Sequence, residues 1–452
     1  MDLLADISAQ IDRRRNEFID RLIVYLRQPT VSATGEGIPE GAEAAARLLE
    51  HAGLRAEVIA TPGWPTVIAR SEGDARPRVL VYGHYDVQPA GDAAAWTSPP
   101  FAPTIRDGRV FCRGSADNKG QHLAHILAVE VLGERLGLLP CEVTFLLDGE
   151  EEIGSPNLRA FVDAHRDELA ADLLIWSDGP VYDPAHPSLS FGVRGIVTFE
   201  LSARGAATEL HSGNWGGVAP NPLWRLVQAL ASMRSPDGRI TIDGFYDDVE
   251  PPSVDESEAI AALGVDEEEL MATLNVDRLD DAPGWSVAER LSAWPSFTIN
   301  GFHGGYCGTG PRTVLPNEAT ASCDIRLVAA QTAEDVFAKT EAHLARYAPD
   351  VRLVRGHGTD PSKTSLDAPY TRAIKDGIEA AYRKPAQLLP PLGGTLPEAV
   401  FTRLLRLPAF GIPLANPDES NHAPDENLEL ERFVGGVKAA AAVLLSLAAA
   451  ES

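Results

Sequence analysis

Long apolar runs, paired cysteines and an excess of positive charge are all missing from this 452-residue chain, and each absence excludes a class of protein. The apolar stretch Ala439 to Ala450 is broken by Ser446 and falls short of the roughly 20 residues that span a bilayer, so a buried C-terminal helix is expected there. Cys112, Cys141, Cys307 and Cys323 are scattered without a CxxC spacing. That excludes a disulfide framework or a sulfur-rich zinc site and leaves buried free thiols as the expectation. Lys plus Arg number 39 against 65 Asp plus Glu, a formal charge of -26 that would repel a phosphate backbone, so nucleic acid is not an expected partner. The opening segment MDLLADISAQIDRRRNEF is charged where a signal peptide needs an apolar core. These absences together predict a cytoplasmic protein with no membrane partner.

What is present is a globular composition, 44% hydrophobic and 23% charged, on a chain long enough for two cores. Leu3, Ile7, Ile11, Phe18, Leu22 and Leu26 predict a helix that Pro29 stops, and a second helix is expected from about Pro39 to His51. Three apolar stretches, Arg78–Gly83, Glu142–Asp148 and Leu173–Asp178, alternate with helix-like segments around 120–136 and 156–168. That alternation predicts a largely parallel α/β sheet. From about Phe191 the pattern becomes that of half-exposed antiparallel strands, in FGVRGIVTFELSAR, PSFTINGFHGG and NEATASCDIRLV, with helices near 221–234 and 332–347. After about residue 360 the α/β pattern returns, with a helix at 370–383, a strand at 408–413 and a closing helix from about 429. The expected fold class is therefore an α/β domain over 1–190 and 361–452, interrupted by a smaller α+β domain over 191–360. The acidic stretch Asp247 to Leu270 is read as a solvated loop leading into a surface helix that contains Asp266–Glu269.

The chemistry-bearing residues gather at the predicted strand ends, where open α/β sheets place their ligands. His84 and Asp86 follow the first strand as His-x-Asp, one suited to grip a metal and the other to orient it. Asp117 sits in a glycine-flanked turn, Arg113-Gly-Ser-Ala-Asp-Asn-Lys-Gly120, either as an outward-facing carboxylate or as the cap of the next helix. The Walker spacing is absent from that turn, which excludes a phosphate cradle. In Asp148-Gly-Glu-Glu-Glu-Ile-Gly-Ser155 adjacent carboxylates repel, so either cations offset the charge or two of the glutamates face water. Asp178 ends another strand, and His422 lies in the polar loop Glu419–Glu426. Singly each is unremarkable, since a lone histidine is more often structural. Jointly, two imidazoles and three carboxylates suit zinc, manganese or cobalt.

The segments GHYDVQP, CRGSADNKG, LDGEEEIGS, WSDG, ELHSGNWGG, CDIRLV, GGT and NHAPDE occur in an order that resembles the M20 family of metallopeptidases over nearly the whole chain. That family includes carboxypeptidase G2, succinyl-diaminopimelate desuccinylase and the carnosinase-like dipeptidases. The resemblance implies two divalent ions per subunit, with Asp117 bridging, His84 and Asp178 completing one site, and Glu152 and His422 the other. It makes Asp86 a support for His84, Glu151 the general base and Glu150 an extra acid. It implies that His211 stabilises an oxyanion, acting on a partner subunit in a homodimer formed through the smaller domain. Arg326 would take a substrate carboxylate, and Gly393, Gly394 and Thr395 would cradle the substrate. Carnosinase-like members often carry an acid before the two glycines, where this chain has Leu392. The implied activity is hydrolysis of a small peptide, with an N-acyl amino acid as the alternative substrate and a non-hydrolytic binding protein as the remote one.

Overall fold

In the computed structural model, which describes residues 3–280, 284–391 and 393–450, the runs RVLVYGH (Arg78–His84), EVTFLLD (Glu142–Asp148) and LLIW (Leu173–Trp176) lie side by side and parallel. Almost all of their residues are buried, as parallel strands covered on both faces require. They form the middle of an eight-stranded sheet. Its order is Arg55–Ile59, Thr66–Arg70, Glu142–Asp148, Arg78–His84, Leu173–Trp176, Ala409–Gly411, Ser188–Ser190 and Gln387–Leu389. The first two strands run antiparallel to their neighbours, as does the contact between Ala409–Gly411 and Ser188–Ser190.

This sheet belongs to the first of two compact units, comprising Met1–Gly192, Lys363–Pro390 and Pro397–Ser452. The expected first helix is two, Leu3–Arg13 and Arg15–Leu26, and Ile7, Ile11, Phe18, Leu22 and Leu26 are all buried in the core. The apolar run ending at Ala450 is the second half of a 21-residue helix, Leu430–Ala450, longer than the run itself. That helix is long and apolar enough to cross a membrane, yet most of it is buried inside the protein. It packs against the helices Lys119–Leu136 and Thr371–Tyr382. Gly377 permits the second of these contacts, because a Cβ there would come within 2.8 Å of the Val443 Cα.

The second unit comprises Val193–Ser362 and Pro391–Leu396. Its antiparallel sheet has the order Ser296–Gly304, Glu318–Leu327, Gly195–Arg204, Val351–Thr359. Burial alternates along Gly195–Arg204, and Val197, Phe199, Leu201 and Ala203 face a core shared with the helices Pro222–Met233 and Ala333–Tyr347. The acidic stretch departs from its expected loop, since Val254–Ala262 is helical. Ser253 and Glu256 close a reciprocal capping box that starts it, and Asp266 caps the following helix, Glu267–Leu274. The turn Gly393–Thr395 groups with this second unit.

Candidate metal centre

His84 is the last residue of its strand, and Gly83 lets that strand end close on the helix Lys119–Leu136: a Cβ at Gly83 would meet the His122 Cβ at 2.8 Å. The imidazole is fully buried, with Nδ1 3.1 Å from the Asp86 carbonyl oxygen and 3.3 Å from Asp86 Oδ1. A proton held on Nδ1 by these oxygens leaves the Nε2 lone pair available. Nε2 lies 3.1 Å from Asp117 Oδ1 and 3.3 Å from Asp178 Oδ2. Asp178 stands just beyond Leu173–Trp176, and its other oxygen accepts the Gly179 amide N–H at 2.6 Å.

Asp117 directs its second oxygen the other way. Oδ2 is 3.0 Å from His422 Nε2, which is 3.2 Å from Glu152 Oε2. Two groups of three donors, His84–Asp117–Asp178 and Asp117–Glu152–His422, therefore share one carboxylate, with the atoms of each group within 4.8 Å of one another. The capping alternative for Asp117 fails, because the residue before Lys119–Leu136 is Asn118, and its side chain donates to the Ser177 carbonyl at 2.6 Å.

The three adjacent glutamates divide their tasks. Asp86 accepts the amide N–H groups of Glu151 at 3.2 Å and Glu152 at 3.0 Å, so it ties the His84 strand end to the glutamate turn as well as contacting His84. Glu152 accepts from the backbone and side chain of Gln88, at 3.1 and 2.9 Å. Glu150 turns away to accept from the Trp64 amide at 3.0 Å and the Asn157 side chain at 2.9 Å. Among the described residues, the Glu151 carboxylate has no hydrogen-bond partner.

Crowding and burial determine the protonation. Burial, then Asp117, pushes Glu152 up to about 7. Burial raises Glu151 well above the carboxylate range; His84 opposes this, and Glu152, Asp178 and Asp117 add to it. Asp178 is raised by burial and Asp117. Burial disfavours charge on His84, yet the hydrogen bonds that its ring donates to the Asp117, Asp178 and Asp86 carboxylates hold its pKa well above the usual histidine range. Asp117 and Glu152 lift His422 to about 10. Asp117, bonded to both imidazoles, stays below the usual carboxylate range in spite of its burial. Both positions thus favour positive charge between imidazole nitrogen and carboxylate oxygen, and this donor set fits divalent zinc, manganese or cobalt.

The remaining expected residues lie in the second unit. Arg326 and the glycine turn come together: Arg326 Nη1 donates to Thr395 Oγ1 at 2.9 Å, and Arg194 Nε donates to the Gly393 carbonyl at 3.1 Å. Arg326 Nε also lies 3.7 Å from Asp324 Oδ1, an ion pair between two residues of the strand Glu318–Leu327. Gly394 accepts the Arg194 amide N–H at 3.1 Å. His211 ends the two-residue strand Leu210–His211, exposed, with Nδ1 accepting the Gly213 amide N–H at 3.1 Å. Leu392 lies outside the described residues. Gln88, Asn118, Arg194 and Glu426 carry contacts that the sequence reading left unassigned, although Gln88, Asn118 and Glu426 stand inside segments it singled out.

A model described as peptidase family M20/M25/M40 matches residues 80–446. The chain is 27% identical to a human Beta-Ala-His dipeptidase over 85% of this chain and 78% of that one. It is 26% identical to a Cys-Gly metallodipeptidase of Schizosaccharomyces pombe over 95% of each. Among solved structures, an M20 family metallo-carboxypeptidase from Sulfolobus solfataricus superposes with a TM-score of 0.89 at 31% identity, covering 96% of this chain and 99% of that one.

Proposed function

This chain belongs to peptidase family M20/M25/M40 and is a di-metal hydrolase of peptide C–N bonds, and from that premise we propose that it cleaves a dipeptide-sized substrate beside a free C-terminal carboxylate, with Glu151 as general base. One observation carries the assignment of the base: of the three adjacent glutamates, Glu151 is the one whose carboxylate has no hydrogen-bond partner among the described residues, while Glu150 and Glu152 are engaged.

In this reading His84, Asp117 and Asp178 hold one ion, and Asp117, Glu152 and His422 hold the other, with zinc the best match to the mixed nitrogen and oxygen donors and manganese or cobalt acceptable. When bound, such a pair polarises the amide carbonyl and brings the pKa of a water near neutrality. Glu151 takes the proton of the attacking water and delivers it to the leaving nitrogen as the C–N bond breaks, so no acyl-enzyme forms. Asp86 keeps His84 and the glutamate turn in register for that transfer.

Arg326 offers a planar fork to the substrate carboxylate, beside the Gly393–Thr395 turn that cradles the substrate backbone. The dipeptidase names of the relatives support a dipeptide. Leu392, in the sequence position where carnosinase-like members often carry an acid, favours the second reading, an N-acyl amino acid. His211 stabilises the tetrahedral oxyanion of a neighbouring subunit in a homodimer formed through the second unit. The edge strand Ser296–Gly304, with Ile299 and Phe302 exposed, supports that dimer. The buried free thiols Cys112, Cys141 and Cys323 support a cytoplasmic setting.

Kinetics on a matched dipeptide, its C-terminal amide and its N-acyl analogue test the reading. Amidation is expected to lower kcat/KM by at least about tenfold, because a charge-assisted contact to Arg326 is lost. A strict requirement for the free ammonium would overturn the carboxylate-led reading, and a preference for the N-acyl compound would select the second.

A further inference from the structure

Glu426 is completely buried four residues beyond His422, and its carboxylate is spent on the turn that carries Asp117. Oε1 accepts the amide N–H groups of Ala116 at 3.0 Å and Asp117 at 3.1 Å. Oε2 accepts the amide N–H of Gly114 at 3.0 Å and Nη1 of Arg113 at 2.7 Å. The Glu426 carbonyl accepts the Cys112 amide N–H at 3.0 Å, so the junction has a backbone strut as well. Three converging amides and a guanidinium on one buried carboxylate make a strong, directional joint.

Both segments joined here lack a repeating hydrogen-bond ladder. The Asp117 turn lies between the strand Arg109–Phe111 and the helix Lys119–Leu136. The His422 loop is irregular, with left-handed backbone at Ser420, His422 and Asp425 (φ 57°, 58° and 60°). The His422 side chain is 55% exposed, so packing alone does not fix it. His84 and Asp178, in contrast, sit at or just beyond the ends of central sheet strands.

We infer that Glu426 is a positioning residue that clamps the Asp117 turn to the His422 loop and so sets the spacing of the Asp117–Glu152–His422 metal position. The inference rests on the proposed two-ion reading of the centre. Asp117 belongs to both positions, but only one of them also takes a donor from the His422 loop, so the demand is asymmetric: loss of the clamp harms the Asp117–Glu152–His422 position more than the one that His84 and Asp178 complete from strand ends.

The test is stepwise zinc titration of the metal-stripped full chain by calorimetry, with thermal melting of the metal-free form. Glu426→Gln has the same size but loses the charge and one acceptor oxygen. One zinc affinity is expected to stay within about threefold of wild type while the other weakens at least about tenfold, the scale of lost ligand-orienting contacts. Glu426→Asp keeps the charge but is too short to span all four donors; it should show the same one-sided loss with a smaller effect on melting, and it decides the matter if the Gln variant does not fold. Equal weakening of both positions, or unchanged affinities in a folded variant, would overturn the clamp. Failure of the wild-type chain to bind two ions would instead overturn the reading on which it rests.

Discussion

His84 in the first unit is fully buried and held at Nδ1 by Asp86, whereas His211 in the second unit is exposed and held by the Gly213 amide at 3.1 Å and the Thr313 hydroxyl at 3.4 Å. The contrast extends to their neighbours. Asp117, Glu152 and Asp178 each belong to a turn or strand end fixed by buried amides or side chains, while Arg326 keeps a third of its side chain exposed and holds Thr395 by one side-chain bond. The difference separates two tasks. In the proposed reading, the groups that would bind cations and move a proton are placed in advance by a rigid shell, because misplacement by even an ångström is costly. In the same reading, the groups offered to the substrate are held more loosely, so that substrate or a second subunit would complete their geometry.

The sharpest way to break that comparison is to remove chemistry from the rigid shell without disturbing it. Glu151→Gln changes one oxygen of a carboxylate that has no hydrogen-bond partner among the described residues, so folding and binding of both ions should persist. Turnover should fall at least about a hundredfold, the contribution of a positioned general base. Metal analysis alongside steady-state rates checks this. A lost ion in Glu151→Gln together with intact metal binding in Glu152→Gln would shift the base assignment by one residue.

A smaller effect probes the shell by pH. His125, on the helix Lys119–Leu136, is buried, and its Nε2 lies 2.7 Å from Ser177 Oγ, which donates to the Ile412 carbonyl. The hydroxyl proton is thus used, so Nε2 must carry the donor proton of a neutral ring. Burial pushes the His125 pKa down to about 4 from its ordinary 6.5. The unfolded chain therefore takes up the proton first as pH falls. The stability from the neutral ring is complete above about pH 6.5 and is lost progressively toward about pH 4. Comparison of wild type with His125→Asn by urea unfolding should show the difference shrinking by on the order of 2 kcal/mol between about pH 6.5 and pH 5. A difference independent of pH would mean that the ring is not held neutral.

Most of the rigid shell is legible in the sequence, and the reason is local. His84, Asp117, Glu152 and Asp178 each lie within a few residues of an apolar strand or a glycine turn whose boundaries the residue pattern marks. What was hidden acts through backbone amides or across long separations. Glu426 bonds amides 309 to 312 residues earlier in the chain, and Arg194 reaches the Gly393 carbonyl 199 residues later. No spacing rule reports such contacts. The strands Arg55–Ile59 and Thr66–Arg70 escaped for a related reason, since their pairing with each other and with Glu142–Asp148 is tertiary. The helix Val254–Ala262 was different. Its Ser-x-x-Glu signal, Ser253 to Glu256, stood in plain view within a stretch read only for its charge.

That helix supplies the smallest test, in the second unit and away in sequence from the residues proposed to meet the substrate. Ser253 Oγ accepts the Glu256 amide N–H at 3.2 Å, while the Ser253 amide donates to Glu256 Oε2 at 2.8 Å. Ser253 is exposed and Glu256 buried, so the box ties a solvent-facing helix start to a covered carboxylate. Ser253→Ala removes the side-chain half and leaves the backbone donor, which should cost about 1 kcal/mol in denaturant unfolding. Because the two hydrogen bonds of the box join Ser253 and Glu256 to each other, zinc affinities should equal those of wild type. A change in metal binding would show that the second unit's periphery is coupled to the candidate metal centre, and the proposed division of tasks between the two sets of residues would then fail.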